Sequence, residues 1–387
     1  MTVLKHIILL IHLSFPSAMT FHDDLIPLTF NGEEVDAPFM GGFNRPKIQW
    51  IDWDMDGDID LFLLDASGYL RYFDNEGTTT SPNFHILTPA FQDLYCGSWF
   101  YFADFDGDGD LDLTAQNEAN PDNISYFQNS GGELLFLDVL TTNDGGNVTS
   151  SSVMTPTFAD IDADGDFDFF TGNMVGTLNY YENMGMDSDL PQLEFVTSSW
   201  QDIYIVGGAR HDRHGASAIT FIDLDGDGDL DLSWGDYFQQ SLYIIWNSGD
   251  PENAYMDEVT AQYPPSDPIV SAGQNMPTFA DLDGDGDEDL YVTVLSGAYG
   301  NQLVNNFYHY ENIGSNSEPS YDYKTNDYFS SLDVFSNSSP EFVDIDLDGD
   351  LDLFISNQYD LSTTPWVGRI YFFRNIGNET NPIYEEE

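Results

Sequence analysis

Six times along the chain, aspartate occupies every second position of a nine-residue stretch. The sets are Asp52, Asp54, Asp56, Asp58 and Asp60; Asp104, Asp106, Asp108, Asp110 and Asp112; and Asp160, Asp162, Asp164, Asp166 and Asp168. They continue with Asp223, Asp225, Asp227, Asp229 and Asp231; Asp281, Asp283, Asp285, Asp287 and Asp289; and Asp344, Asp346, Asp348, Asp350 and Asp352. Their starts lie 52, 56, 63, 58 and 63 residues apart, and the sixth position is always glycine: Gly57, Gly109, Gly165, Gly228, Gly286 and Gly349. An aromatic residue stands two before each opening aspartate (Trp50, Phe102, Phe158, Phe221, Phe279, Phe342). A large apolar residue follows each closing one (Leu61, Leu113, Phe169, Leu232, Leu290, Leu353). Self-similarity at this period means repeated supersecondary units, not independent domains.

A second motif keeps step with the first. It reads Tyr72-Phe73-Asp74-Asn75-Glu76-Gly77 and Tyr126-Phe127-Gln128-Asn129-Ser130-Gly131, with four more copies ending at Gly185, Gly249, Gly314 and Gly377. The aromatic run suits a buried strand, and Asn-x-Gly suits the turn that ends it. An extended stretch such as Asn83-Phe84-His85-Ile86-Leu87 and a connector complete each unit. Four short strands per unit, without helical periodicity, predict an all-β chain: one β-propeller of six four-stranded blades. A seventh blade would have to lack both motifs, and no stretch is long enough to hide one comfortably. Pro27-Leu28-Thr29-Phe30 resembles a fourth strand, while little chain follows Gly377. Residues 26–30 are therefore expected to pair with the last blade and close the ring, since open sheet edges invite aggregation.

Five carboxylates within nine residues repel one another unless a cation sits among them. Aspartates at positions 1, 3, 5 and 9, with a backbone carbonyl at 7, match the opening of an EF-hand loop, and glycine at 6 permits the sharp turn. Every donor is a hard oxygen, which favours calcium over zinc or copper, and magnesium demands stricter geometry. An EF-hand also needs glutamate at position 12; here that position holds Leu63, Ala115, Thr171, Trp234, Val292 and Ile355. The helical motif is excluded.

Together, the Asp-x-Asp-x-Asp-Gly-x-x-Asp loops, the preceding aromatic and the Tyr-Phe-x-Asn-x-Gly motif resemble the FG-GAP/VCBS repeat, found in integrin α-subunit propellers and some fungal propeller lectins. The resemblance spans about residues 46–377. It implies a calcium-bound propeller carrying about six Ca2+, one per blade, and leaves the ligand open. Integrin heads have seven blades, one more than the six counted in this sequence. One loop per blade, between its first two strands, makes calcium a structural staple.

The chain has 68 acidic and 9 basic residues in 387, a net charge of -59, with 41% hydrophobic residues. That apolar content supports a core, and the charge excludes nucleic acid as a partner. The loops hold 30 of the acids. The remaining acidity fits a saline habitat or a cationic partner. A single cysteine excludes a disulfide scaffold. Lys5, the apolar run from Ile7 to Leu13 and the small residues after it read as a signal peptide over residues 1–20, ahead of a single propeller over 21–387. A secreted or cell-surface protein without direct membrane insertion is expected. Four glycosylation sequons stand at Asn123, Asn147, Asn337 and Asn378.

Cys96 reads as a small buried thiol, and His211, Asp212, Arg213 and His214 as a polar surface loop. No catalytic motif stands out, so the expected activity is binding or adhesion toward an extracellular glycan or protein. A calcium-dependent polysaccharide lyase or hydrolase and a purely structural surface protein are the alternatives. Strand alternation puts the Asp loops and Asn-x-Gly turns on one face. The irregular segments 116–123, 198–216, 235–240, 295–305 and 357–368 then fall on the other, the expected ligand face, with Trp200, Arg213, Tyr237, Tyr299, Tyr359 and Trp366.

Overall fold

A computed structural model of the chain describes residues 26–387 except 36, 39, 206–215, 336 and 362. The 1–20 segment and the His211–His214 cluster, Arg213 included, lie outside the described residues. The rest is β-structure in six antiparallel units of four strands, with two short 3-10 turns, Phe91–Asp93 and Trp200–Asp202. No helix among the described residues is long and apolar enough to cross a membrane.

Blade 1 comprises Lys47–Ile51, Asp60–Leu64, Leu70–Asn75 and Phe84–Thr88, paired in that order. Blades 2 to 5 repeat it, starting with the strands Phe100–Ala103, Thr157–Ala159, Ser217–Ile222 and Asn275–Ala280. Alternation along each second strand turns one set of side chains to the preceding blade and the other to the following one. In blade 1, Leu61 and Leu63 pack with Tyr291 and Phe307 of blade 5, whereas Phe62 and Leu64 pack with Phe100 and Phe102 of blade 2. Further clusters join blades 2 and 3, 3 and 4, and 4 and 5.

Hydrogen bonds follow the same circuit. The Gln49 amide donates to the Phe102 carbonyl (2.7 Å) and accepts from the Phe102 N–H (2.8 Å). The Tyr101 hydroxyl donates to Phe158 O at 2.9 Å, and the Thr155 N–H to Ser217 O at 2.8 Å. Thr220 Oγ1 donates to Pro277 O at 2.9 Å, and Thr293 Oγ1 to Pro46 O at 2.6 Å, which closes blade 5 onto blade 1.

The sixth sheet stands outside this ring, which corrects the expected closure. Its strands are Ser339–Val343, Asp352–Ser356, Ile370–Asn375 and Tyr384–Glu386. The expected terminal pairing is present: Leu28–Phe30 runs parallel to Tyr384–Glu386, with Leu28 opposite Tyr384, and Glu33–Glu34 adds a further strand. That pairing extends the sixth sheet and leaves the ring to be sealed by blade 5 against blade 1. The sixth sheet's apolar cluster draws on its own strands, the linker residues Leu332 and Val334, and Leu28 of the N-terminal segment. Its first strand is exposed throughout, whereas Thr157–Ala159 of blade 3 is wholly buried.

Candidate metal centres and the loop face

Cross-strand pairing explains the framing residues of each Asp motif. Trp50 lies opposite Leu61, and the same partnership recurs as Phe102–Leu113, Phe158–Phe169, Phe221–Leu232, Phe279–Leu290 and Phe342–Leu353. The closing aspartate is the first residue of the second strand in all six units. The intervening residues must therefore turn tightly, and the sixth-position glycines do so at φ of +96° to +102°, where side chains are disfavoured.

Backbone N–H groups orient the carboxylates. The opening aspartate accepts from the sixth-position glycine at 3.0 to 3.2 Å in every loop. The fifth-position aspartate accepts from the seventh-position N–H at 2.9 to 3.2 Å. This folding brings carboxylate oxygens of Asp52, Asp54 and Asp60 within 4.8 Å of one another, and likewise those of Asp104, Asp106 and Asp108. Asp160, Asp162 and Asp164; Asp223, Asp225 and Asp227; and Asp281, Asp283 and Asp285 form matching groups.

These loops fit a divalent cation by a direct test. Oδ1 of Asp52, Asp58, Asp162, Asp229, Asp287 and Asp350 is buried and accepts no hydrogen bond. A buried carboxylate oxygen without a donor is costly, and a coordinated cation removes that cost. Burial and then neighbouring aspartates push the Asp58, Asp162 and Asp287 carboxyls upward, and Asp229 to about 6. The position-7 aspartates, Asp58, Asp110, Asp166, Asp229, Asp287 and Asp350, were expected among the metal-site residues, with the backbone carbonyl there as a ligand. Four of the unpartnered oxygens belong to position-7 side chains, so that carboxylate is available to a cation beside the backbone carbonyl.

The closing aspartate has a second role that the spacing did not reveal. Asp60, Asp112, Asp168, Asp231, Asp289 and Asp352 are buried, and Oδ1 of each accepts the N–H of Asn75, Asn129, Asn183, Asn247, Asn312 or Asn375 at 2.7 to 2.9 Å. Tyr72, Tyr126 and Tyr180 donate their hydroxyls to Oδ2 in blades 1 to 3, and His309 meets Asp289 Oδ2 at 3.1 Å in blade 5. Burial raises Asp60 and Asp112 to about 6 and Asp168 and Asp231 to about 7, against hydrogen bonds that pull the other way. The Asn-x-Gly motif is thus a clasp on the Asp loop as well as a turn. Its constant company with the Asp motif was the only signal in the sequence. The hydrogen bonds also put loop and turn on one face, as expected.

The expected ligand-face residues are dispersed. Trp200 is 6% exposed and packs on Phe170 and Phe221 between blades 3 and 4, so it is a core residue and not a surface contact. Tyr237 stacks edge-on against Phe238, whose carbonyl accepts the Tyr299 hydroxyl at 3.2 Å. Tyr359 and Trp366 stack at 5.6 Å on the sixth sheet, with Trp366 62% exposed. Two separate aromatic pairs replace a single surface. Cys96 is buried, as expected, and burial pushes its thiol up to about 12.

A model of the FG-GAP-like repeat matches residues 52–115, 104–171 and 223–292. A search of curated proteins returns no significant relative. Among solved structures, the chain aligns with a lectin of Agrocybe aegerita described as recognising non-reducing terminal N-acetylglucosamine. The two are 16% identical, with a TM-score of 0.36, over 89% of this chain and 79% of that one. A likeness at that level says nothing about what this chain binds. The matched repeats begin and end within the loop-bearing units described above, and the chain carries three repeats of the FG-GAP-like family.

Proposed function

We propose that this chain is a secreted, calcium-loaded propeller that serves as a binding or adhesion module for an extracellular glycan or protein. The observation that carries the calcium reading is the set of buried, donor-less carboxylate oxygens in five of the six Asp loops. The aspartates at positions 1, 3, 5, 7 and 9 would hold the ion, which would supply the positive charge each loop lacks. Its role is structural, because each closing aspartate also fastens its loop to the third strand of the same sheet. Ligand binding is assigned to the opposite face, to the aromatic pairs Tyr237–Phe238, joined by the Tyr299 hydroxyl, and Tyr359–Trp366. Residues 1–20 act as the export signal.

The test is a glycan array together with a panel of extracellular-matrix proteins, probed with and without calcium. Retention that disappears in chelator and in Tyr299→Ala or Trp366→Ala supports the reading. Turnover of a polysaccharide would replace it with the enzymatic alternative, and no retention on either panel would leave a structural surface protein.

A further inference from the structure

The eighth position of the Asp loop is apolar in four of the five ring blades, and its side chain fills the gap toward the preceding blade. Leu111 packs into the cluster between blades 1 and 2, Phe167 between 2 and 3, Leu230 between 3 and 4, and Ile59 between 5 and 1. Blade 5 carries Glu288 at this position. The gap it faces, between blades 4 and 5, contains a cavity of about 490 Å3 lined by Glu288, Asp223, Phe221, Phe279 and Tyr321 among others. That volume lies within the usual range for small-molecule sites. The cavity shares Asp223, the opening aspartate of the blade 4 loop, with the metal centre, and none of the described aromatic residues of the opposite face lines it.

We infer that the cavity between blades 4 and 5 binds a primary alkylammonium group, either on a small amine or on a lysine side chain. Its chemistry is matched to that group. Both acidic residues of the lining are carboxylates, and no lysine or arginine lines it. Asp223 already accepts backbone N–H groups from Gly226 and Gly228, which leaves Glu288 as the open acceptor. Phe279 and Tyr321, both in the apolar cluster between blades 4 and 5, offer aromatic surface for the alkyl stem, and aromatic rings favour a nearby cation. A neutral ligand would forgo the charge-assisted hydrogen bond to Glu288.

The inference does not depend on the proposed glycan or protein binding, and its test is separate. Calcium-saturated full-length protein is titrated calorimetrically with Nα-acetyl-lysine methylamide, with its Nε-acetylated counterpart, and with n-butylammonium. Saturable binding of one equivalent of the charged probes, without binding of the acetylated one, is the expected result. Binding of n-butylammonium alone would identify small amines, and tighter binding of the lysine probe would identify a peptide ligand. Glu288→Gln should weaken binding about tenfold or more. Glu288→Leu restores the residue type of the other gaps and should abolish binding while raising the melting temperature. The inference is overturned if no probe binds, if the acetylated probe binds as well, or if Glu288→Gln leaves the affinity unchanged, which would mean diffuse attraction to an acidic surface.

Discussion

The ring blades and the sixth sheet carry the same motif, yet their packing differs. In both, the framing aromatic sits opposite the residue after the closing aspartate, and that aspartate accepts an asparagine N–H, at 2.8 Å in blade 2 and in the sixth sheet alike. Phe102 of blade 2 is 2% exposed, however, and Phe342 of the sixth sheet is 49% exposed. Leu111 fills an inter-blade gap, whereas its counterpart Leu351 faces solvent. A blade is therefore a local object that forms wherever its motif occurs. Membership of the ring depends on having a neighbour on both faces.

Calcium removal should have the largest effect and act on both regions. At tenfold excess over Kd, each occupied site adds about 1.4 kcal/mol to stability, and several sites add together. Excess chelator should lower the Tm sharply, zinc should not restore it, and a melting curve indifferent to chelator would remove the staple from both regions.

The paired truncations Phe102→Ala and Phe342→Ala test the contrast most directly. The first empties a buried ring site and should cost about 3–5 kcal/mol. The second acts on an exposed edge and should cost under about 1 kcal/mol. Equal losses in denaturant titrations would mean that the sixth sheet has a partner in solution and that the contrast does not survive there.

Within the loops, the two regions should also differ in calcium affinity. The position-3 aspartate of the sixth sheet, Asp346, is ion-paired with Arg374, while its blade 2 counterpart Asp106 accepts a neutral amide from Gln128 at 2.7 Å. A guanidinium competes with the cation for the carboxylate. Arg374→Ala should therefore tighten the weakest site in a calorimetric calcium titration, and Asp106→Ala should remove one site of full strength. Unchanged affinities in Arg374→Ala would show that the pair opens freely.

The smallest expected effect lies where the linker meets the N-terminal segment. The Asp333 carboxylate lies close against Gly42, and burial followed by the nearby Asp327 pushes it up to about 7. A native acid that holds its proton more tightly than the unfolded chain favours folding at low pH. Its contribution is fully present below the unfolded value near 4 and is lost as pH rises toward 7. Hydrogen-exchange protection factors around residues 330–335, corrected for the intrinsic pH dependence of exchange, should be higher at pH 5 than at pH 8, and Asp333→Asn should remove the difference. Equal protection at both pH values in the parent protein would place Asp333 in water.

The sequence by itself determined the four-strand units, the tight turn at each Asp loop and the clustering of carboxylates there. These are short-range matters: alternation assigns side chains to faces, glycine permits the turn, and clustered carboxylates demand a counter-charge. The pairing of residues 26–30 with the last sheet was also legible, because a lone strand-like segment needs an edge. Three features were decided by tertiary structure alone. Trp200 went into the core because its 3-10 turn lies over the groove between blades 3 and 4. Asn75 and its counterparts became clasps because hairpin closure, whatever the loop length, brings their N–H groups to the closing aspartates. Blade 5 met blade 1 because ring closure depends on twist and packing accumulated over more than two hundred residues, and no single repeat encodes how many of its copies the circle will hold.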